Sequence, residues 1–177
     1  MNSISAEDDL QLIYAMQLRC GDRKLVLPRN VIMELKPFAE PEPLQHPQSR
    51  KLIKSEPWVL GSVIYRNLPV PVISLEMLID GASDYERRRA RVCIMHAVSD
   101  ALSPPSFALV CQGFPSLLEV PATLAESLAE QKAPADPDKE NPYIAAQIHL
   151  GGYLSAVPDL PAIESALGVA LTEAKQD

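Results

Sequence analysis

The chain has 177 residues, enough for one domain or two small intimate ones, and at 47% apolar it has the composition of a globular protein. Its formal charge of −7 argues against a nucleic-acid groove or an anionic membrane surface as the main partner. Seventeen prolines against seven glycines favour many terminated strands over long helices, and no apolar run approaches the roughly 18 residues that span a bilayer.

In chain order, residues 1–9 are acidic and polar, a solvated tail and not a signal peptide. Residues 10–20, LQLIYAMQLRC, are apolar with partial alternation and run into the turn signal Gly21-Asp22-Arg23. Leu25-Val26-Leu27 resumes the pattern and stops at Pro28, which suits a hairpin. Residues 31–36, VIMELK, fit helix or strand by period; their shortness and the following Pro37 favour a strand. Residues 38–57, with Pro37, Pro41, Pro43, Pro47 and Pro57, form a loop.

The best-specified stretch is WVLGSVIYRNLPVPVISLEMLID, residues 58–80. Two β-branched runs, 59–65 and 68–75, flank the pair Arg66-Asn67, as in a β-hairpin. Asn67 suits the positive φ of a tight hairpin turn. A two-residue loop sets Tyr65 opposite Leu68, Val63 opposite Val70 and Gly61 opposite Val72. Pro69 and Pro71 then lack N–H groups on the strand's other side, which should be a sheet edge or a bulge. Residues 76–80 read as one helical turn ended by Gly81.

Residues 82–89 are polar and lead into a strand at 91–97, followed by a turn at 99–105. Short strands at 107–111 and 117–120 flank Gly113 and Pro115. A helix is expected over 124–132, then a charged, proline-rich loop over 133–142. Residues 144–150 and 153–157 surround Gly151-Gly152 as a second hairpin. Asp159 is the expected N-cap of a helix with Pro161 early, an apolar stripe of Ile163, Ala166 and Leu167, and an end at Gly168. About ten short strands with few helices place the chain in a mainly β, barrel or sandwich class.

Motifs for chemistry are sparse. The glycines never take the spacing of a phosphate loop, and there is no Gly-x-Ser-x-Gly elbow. His46, His96 and His149 lie far apart without metal-ligand spacing, so no metal or cofactor is expected; His96 and His149 read as hydrogen-bonded structural histidines in strands. Cys20, Cys93 and Cys111 are odd in number and sit in apolar stretches, as buried free thiols of a reducing cytosol do. An enzyme is therefore not expected. The run Arg87-Arg88-Arg89-Ala90-Arg91 fits either a solvated loop and charged edge strand or a contact for an acidic partner. Arg66 fits either a solvated turn residue or an interface residue, and Trp58 a core or interface anchor opening the hairpin.

Trp58-Val59-Leu60-Gly61, Arg66, Val70-Pro71-Val72-Ile73 and Leu75 together resemble the signature of CheW-type chemotaxis coupling domains. Leu25–Pro28, Ile32-Met33-Glu34, residues 107–120 and residues 145–167 are similar to further family segments in the same order. The resemblance implies two interleaved five-stranded SH3-like barrels over residues 10–168, with tails at 1–9 and 169–177. It implies no catalytic centre or cofactor. It also implies a cytoplasmic adaptor, at membrane-associated receptor arrays, joining a chemoreceptor tip to the regulatory domain of a CheA-type histidine kinase. In the family, the residues matching Glu34 and Arg66 act together as an ion pair at the working surface, so these two are the expected partner-binding residues. The sequence departs from the family at Ile64-Tyr65, Asn67, Ser74 and Cys111-Gln112. Ile73-Ser74-Leu75-Glu76 is similar to ChpC-like relatives in type IV pilus, twitching-motility systems. The alternative, without the resemblance, is a small β-barrel binding a ligand or nucleic acid.

Overall fold

The computed structural model describes residues 12–45, 49–123, 141–150 and 152–173. His46, the tail at 1–9 and the helix expected over 124–132 lie outside them, as does most of the loop expected over 133–142. Nine strands form one sheet system: β1 (Leu12–Cys20), β2 (Arg23–Pro28), β3 (Ile32–Pro37), β4 (Val59–Tyr65), β5 (Leu68–Ile73), β6 (Ala90–His96), β7 (Ser106–Pro121), β8 (Ile144–Leu150) and β9 (Tyr153–Pro158). Among the described residues, the α-helices with both ends defined are α1 (Leu75–Asp80) and α2 (Leu160–Glu173).

The central hairpin has the register expected from its two-residue loop, with Tyr65 opposite Leu68, Val63 opposite Val70 and Gly61 opposite Val72. Beyond β5 the neighbour is β7, which pairs in parallel only at Val72 and Ile73. The ladder therefore begins where the prolines end, because Pro69 and Pro71 have no N–H to give it.

Among the described residues nine strands appear where ten were expected, because residues 107–111 and 117–120 belong to one strand, β7. Gly113 bends it at φ +69 instead of ending it. This strand joins two five-stranded halves. One runs β3-β6-β7-β5-β4 and the other β7-β1-β2-β9-β8. Each half has its own apolar centre. Tyr65, Val70, Val72, Val92, Ile94, Ala108 and Val110 fill the first, and Ala15, Val26, Val120 and Ile148 the second. Between them lies a larger seam that includes Leu25, Leu27, Ile73, Cys93, Met95, Phe107, Leu109, Leu167 and Ile163.

The seam explains the runs that read as continuously apolar. In β6, Val92 and Ile94 face the first centre while Cys93 and Met95 face the seam. In β7, Ala108 and Val110 face the first centre while Phe107, Leu109 and Cys111 face the seam. A strand buried on both faces needs apolar residues at every position. Each fully buried large side chain stabilises by about 1.5–3 kcal/mol relative to exposure, against about 0–1 kcal/mol for an exposed ion pair. The seam, not the surface charge, holds the halves together.

Helix α2 closes the seam through Leu160, Ile163, Leu167 and Ala170. Asp159 caps it as expected, its Oδ1 accepting the Ala162 N–H at 3.0 Å. The helix does not stop at Gly168. It continues to Glu173, with Ala170 buried, so the boundary expected at 168 falls inside it. The reason for Gly168 is packing: a Cβ there would lie 2.8 Å from the Ala101 carbonyl oxygen. Glu164, wholly buried one turn earlier, accepts the N–H groups of Val98 and Ser99 at 2.8 Å each and the Ser99 hydroxyl. Together these residues fix the β6–β7 loop on the helix.

Candidate partner-binding site

The tip of the central hairpin is a type I′ turn, with Arg66 at φ +48 and Asn67 at φ +63. Asn tolerates this region because its short amide bonds locally; Arg does so at a cost of about 1–2 kcal/mol. The turn therefore holds its arginine at a strained backbone position.

What Arg66 presents is set by Tyr65. The Tyr65 ring is buried in the first apolar centre, and the Arg66 guanidinium carbon stands 5.1 Å from its centroid. Lys36, from β3, places its ammonium 5.5 Å from the same centroid. Both lie within cation–π range. The Lys36 ammonium also donates to the Ile64 carbonyl at 3.4 Å and pairs with Glu34 Oε1 at 3.9 Å. Glu34, Lys36, Tyr65 and Arg66 thus form one chain of contacts from β3 to the hairpin tip. Ile64 and Leu68, 55% and 51% exposed, flank the turn with apolar surface.

Glu34 and Arg66 are brought to one neighbourhood but not into an ion pair. The carboxylate of Glu34 pairs with Lys36, and Arg66 has no ion pair among the described residues. Sequence reading missed Lys36. The signal was its spacing, since residues two apart on a strand share a face.

The family departures have local explanations. Ser74, in place of Asp, caps α1, its hydroxyl oxygen accepting the Met77 N–H at 3.2 Å. Ser and Asp are comparable caps. Asn67 supplies the positive φ that a Gly would. Gly61 sits at φ +136 in a bulge of β4, where a Cβ would meet the Glu42 carbonyl oxygen at 2.3 Å. Trp58 packs against the seam.

A second concave region of about 730 Å³ lies between the β1–β2 turn and α1, lined by Arg19, Arg23, Glu76, Asp80, Asp84 and Gln112 among others. Arg23 forms a two-pronged pair with Asp80 at 2.6 and 3.2 Å. Glu76 is buried against Gly21 and accepts the Asp84 N–H at 3.2 Å. Burial raises its carboxyl pKa; that N–H opposes the rise, and the nearby Asp80, Asp22 and Asp84 carboxylates add to it. Cys20 borders this cleft with its thiol donating to the Val110 carbonyl at 3.4 Å, and burial raises its pKa well above the usual thiol value. Burial likewise pushes Cys93 and Cys111 to about 12. All three cysteines are free and buried, as their apolar flanks implied, and such neutral thiols are poor nucleophiles.

Two other sequence readings change. His96 and His149 lie in strands as expected, but both are exposed and make no side-chain hydrogen bond among the described residues, so they are not hydrogen-bonded structural histidines. The basic run guards no edge: residues 87–89 form a turn, and β6 lies between β3 and β7.

Two five-stranded halves sharing one long strand and a seam define a two-lobed, mainly β class of domain. Residues 15–167 match the CheW-like domain, and the chain belongs to that family. Among solved structures it is similar to the scaffolding protein TtCheW from Thermoanaerobacter tengcongensis, with a TM-score of 0.59 at 10% identity. That match covers 85% of this chain and 90% of the other, and it shows the common fold. None of the curated proteins compared with the chain matches it. No helix among the described residues is long and apolar enough to cross a membrane.

Proposed function

We propose that the protein is a non-enzymatic adaptor that couples chemoreceptors to a CheA-type histidine kinase. Family membership over residues 15–167 supports the general role. The observation that carries the reading to particular residues is the hairpin tip, where Arg66 is held at positive φ over Tyr65 beside exposed Ile64 and Leu68. Arginine and aromatic side chains next to apolar surface are what protein interfaces select. Glu34, tied to the same cluster through Lys36, completes a partner-facing set of opposite charges.

In this reading the receptor's cytoplasmic tip and the kinase regulatory domain are the two partners, and the adaptor works in the cytoplasm at receptor arrays. The likeness of Ile73-Ser74-Leu75-Glu76 to ChpC-like relatives favours a type IV pilus chemosensory pathway. Co-precipitation with the cognate kinase and receptor tip tests the role. Both should be retained by the parent protein, and retention of neither would remove the proposal.

A further inference from the structure

The basic run lacks the account that an edge strand would have given it. Its geometry ties it to an exposed aromatic. Gly113 turns β7 at φ +69, and its N–H donates to the Arg89 carbonyl at 2.8 Å, which sets Phe114 beside the run. Phe114 is 74% exposed, and the Arg91 guanidinium carbon stands 5.0 Å from its ring centroid. Arg87 pairs with Glu40 at 2.8 Å and Arg89 with Glu86 at 3.4 Å, all through side chains more than half exposed. Pairs so exposed contribute little and exchange readily. Arg88 has no ion pair among the described residues. Four of the chain's 16 basic residues therefore stand within five positions, one of them over an exposed phenyl ring, on a chain of net charge −7.

We propose that Phe114 with Arg87, Arg88, Arg89 and Arg91 is a docking surface for an acidic segment of a partner protein. An apolar side chain of that segment covers Phe114 while flanking carboxylates displace Glu40 and Glu86 from the arginines. The surface shares no residue with the hairpin tip and stands without the role proposed for it. A nucleic-acid strand is disfavoured. Single-strand binding uses successive aromatic platforms along a basic groove, whereas one largely exposed ring stands here and Glu40 and Glu86 already pair with the arginines.

The test is fluorescence anisotropy at low salt with a labelled peptide of repeating Glu-Glu-Leu, its Gln-Gln-Leu counterpart and an oligothymidylate. The acidic peptide should bind the parent more tightly than the glutamine peptide, and added salt should weaken it. Phe114→Ser and Arg88→Glu alter exposed side chains, and each should weaken binding about tenfold with an unchanged circular-dichroism spectrum. Equal binding of the two peptides, or parental binding by both variants, would overturn the proposal. Tighter binding of the oligothymidylate would reassign the surface to nucleic acid. Self-association lost in Phe114→Ser, with no peptide binding, would reassign it to a second copy of the chain.

Discussion

Lys36 and Arg66 stand over one ring, that of Tyr65, at 5.5 and 5.1 Å from its centroid. Lys36 comes from β3 and Arg66 from the β4–β5 turn, and Lys36 also holds the carboxylate of Glu34 at 3.9 Å. The neighbourhood of Glu34 and Arg66 is thus relayed through a lysine and a tyrosine.

The turn itself carries the first prediction. Arg66 at φ +48 costs more than a residue suited to that region. Arg66→Asn should raise stability by about 0.5–1 kcal/mol while weakening partner binding. Denaturant unfolding alongside a pull-down separates the two effects. A variant less stable than the parent would remove the claim of strain.

Two glycines should resist substitution for reasons of space. A Cβ at Gly61 would meet the Glu42 carbonyl oxygen at 2.3 Å, and one at Gly168 the Ala101 carbonyl oxygen at 2.8 Å. Gly61→Ala also forces φ +136 on a residue that avoids it, and should lose about 2–3 kcal/mol or more. Gly168→Ala should lose stability despite a helix-propensity gain of about 1 kcal/mol. Thermal unfolding checks both.

Glu164 is the buried tie between α2 and the β6–β7 loop. Glu164→Ala leaves the Val98 and Ser99 N–H groups without their acceptor. The loss should be about 2 kcal/mol, since partial exposure of this loop lets water replace some bonds. Glu164→Gln keeps one acceptor oxygen and should lose less, as equilibrium urea unfolding would show.

How much of this was legible in the sequence follows from which forces are local. The hairpin register could be read because a two-residue loop and period-2 alternation determine it. The Asp159 cap could be read because its hydrogen bond spans three residues. The single course of β7 could not, since Gly113 and Pro115 signal a break unless β1 pairs across it on both sides of a bulge. Gly168 looked like a helix end because its true constraint, the Ala101 carbonyl, is remote in sequence. Within the candidate site, Glu34 and Arg66 came from family resemblance, and their link through Lys36 and Tyr65 only from packing.

Glu76 gives a pH prediction. Burial first, then nearby carboxylates, raise its pKa in the folded protein above the ordinary value near 4.5. Between those two values the folded chain holds a proton that the unfolded chain has released. Stability from this group is therefore lost as pH rises through that window, and ionised Glu76 is a net cost above it. Glu76→Gln cannot ionise, so its melting temperature relative to the parent should improve from acid to neutral pH. A constant difference across that range would contradict the assignment.

The most direct test of the proposed adaptor role of the hairpin tip is calorimetric titration of the Arg66→Glu variant with the cognate kinase regulatory domain and receptor tip. The substitution places a second carboxylate in the cluster of Glu34, on an exposed turn outside the seam. The account predicts that affinity for at least one partner falls tenfold or more (about 1.4 kcal/mol) while the unfolding transition stays cooperative. Parental affinity for both partners would contradict it.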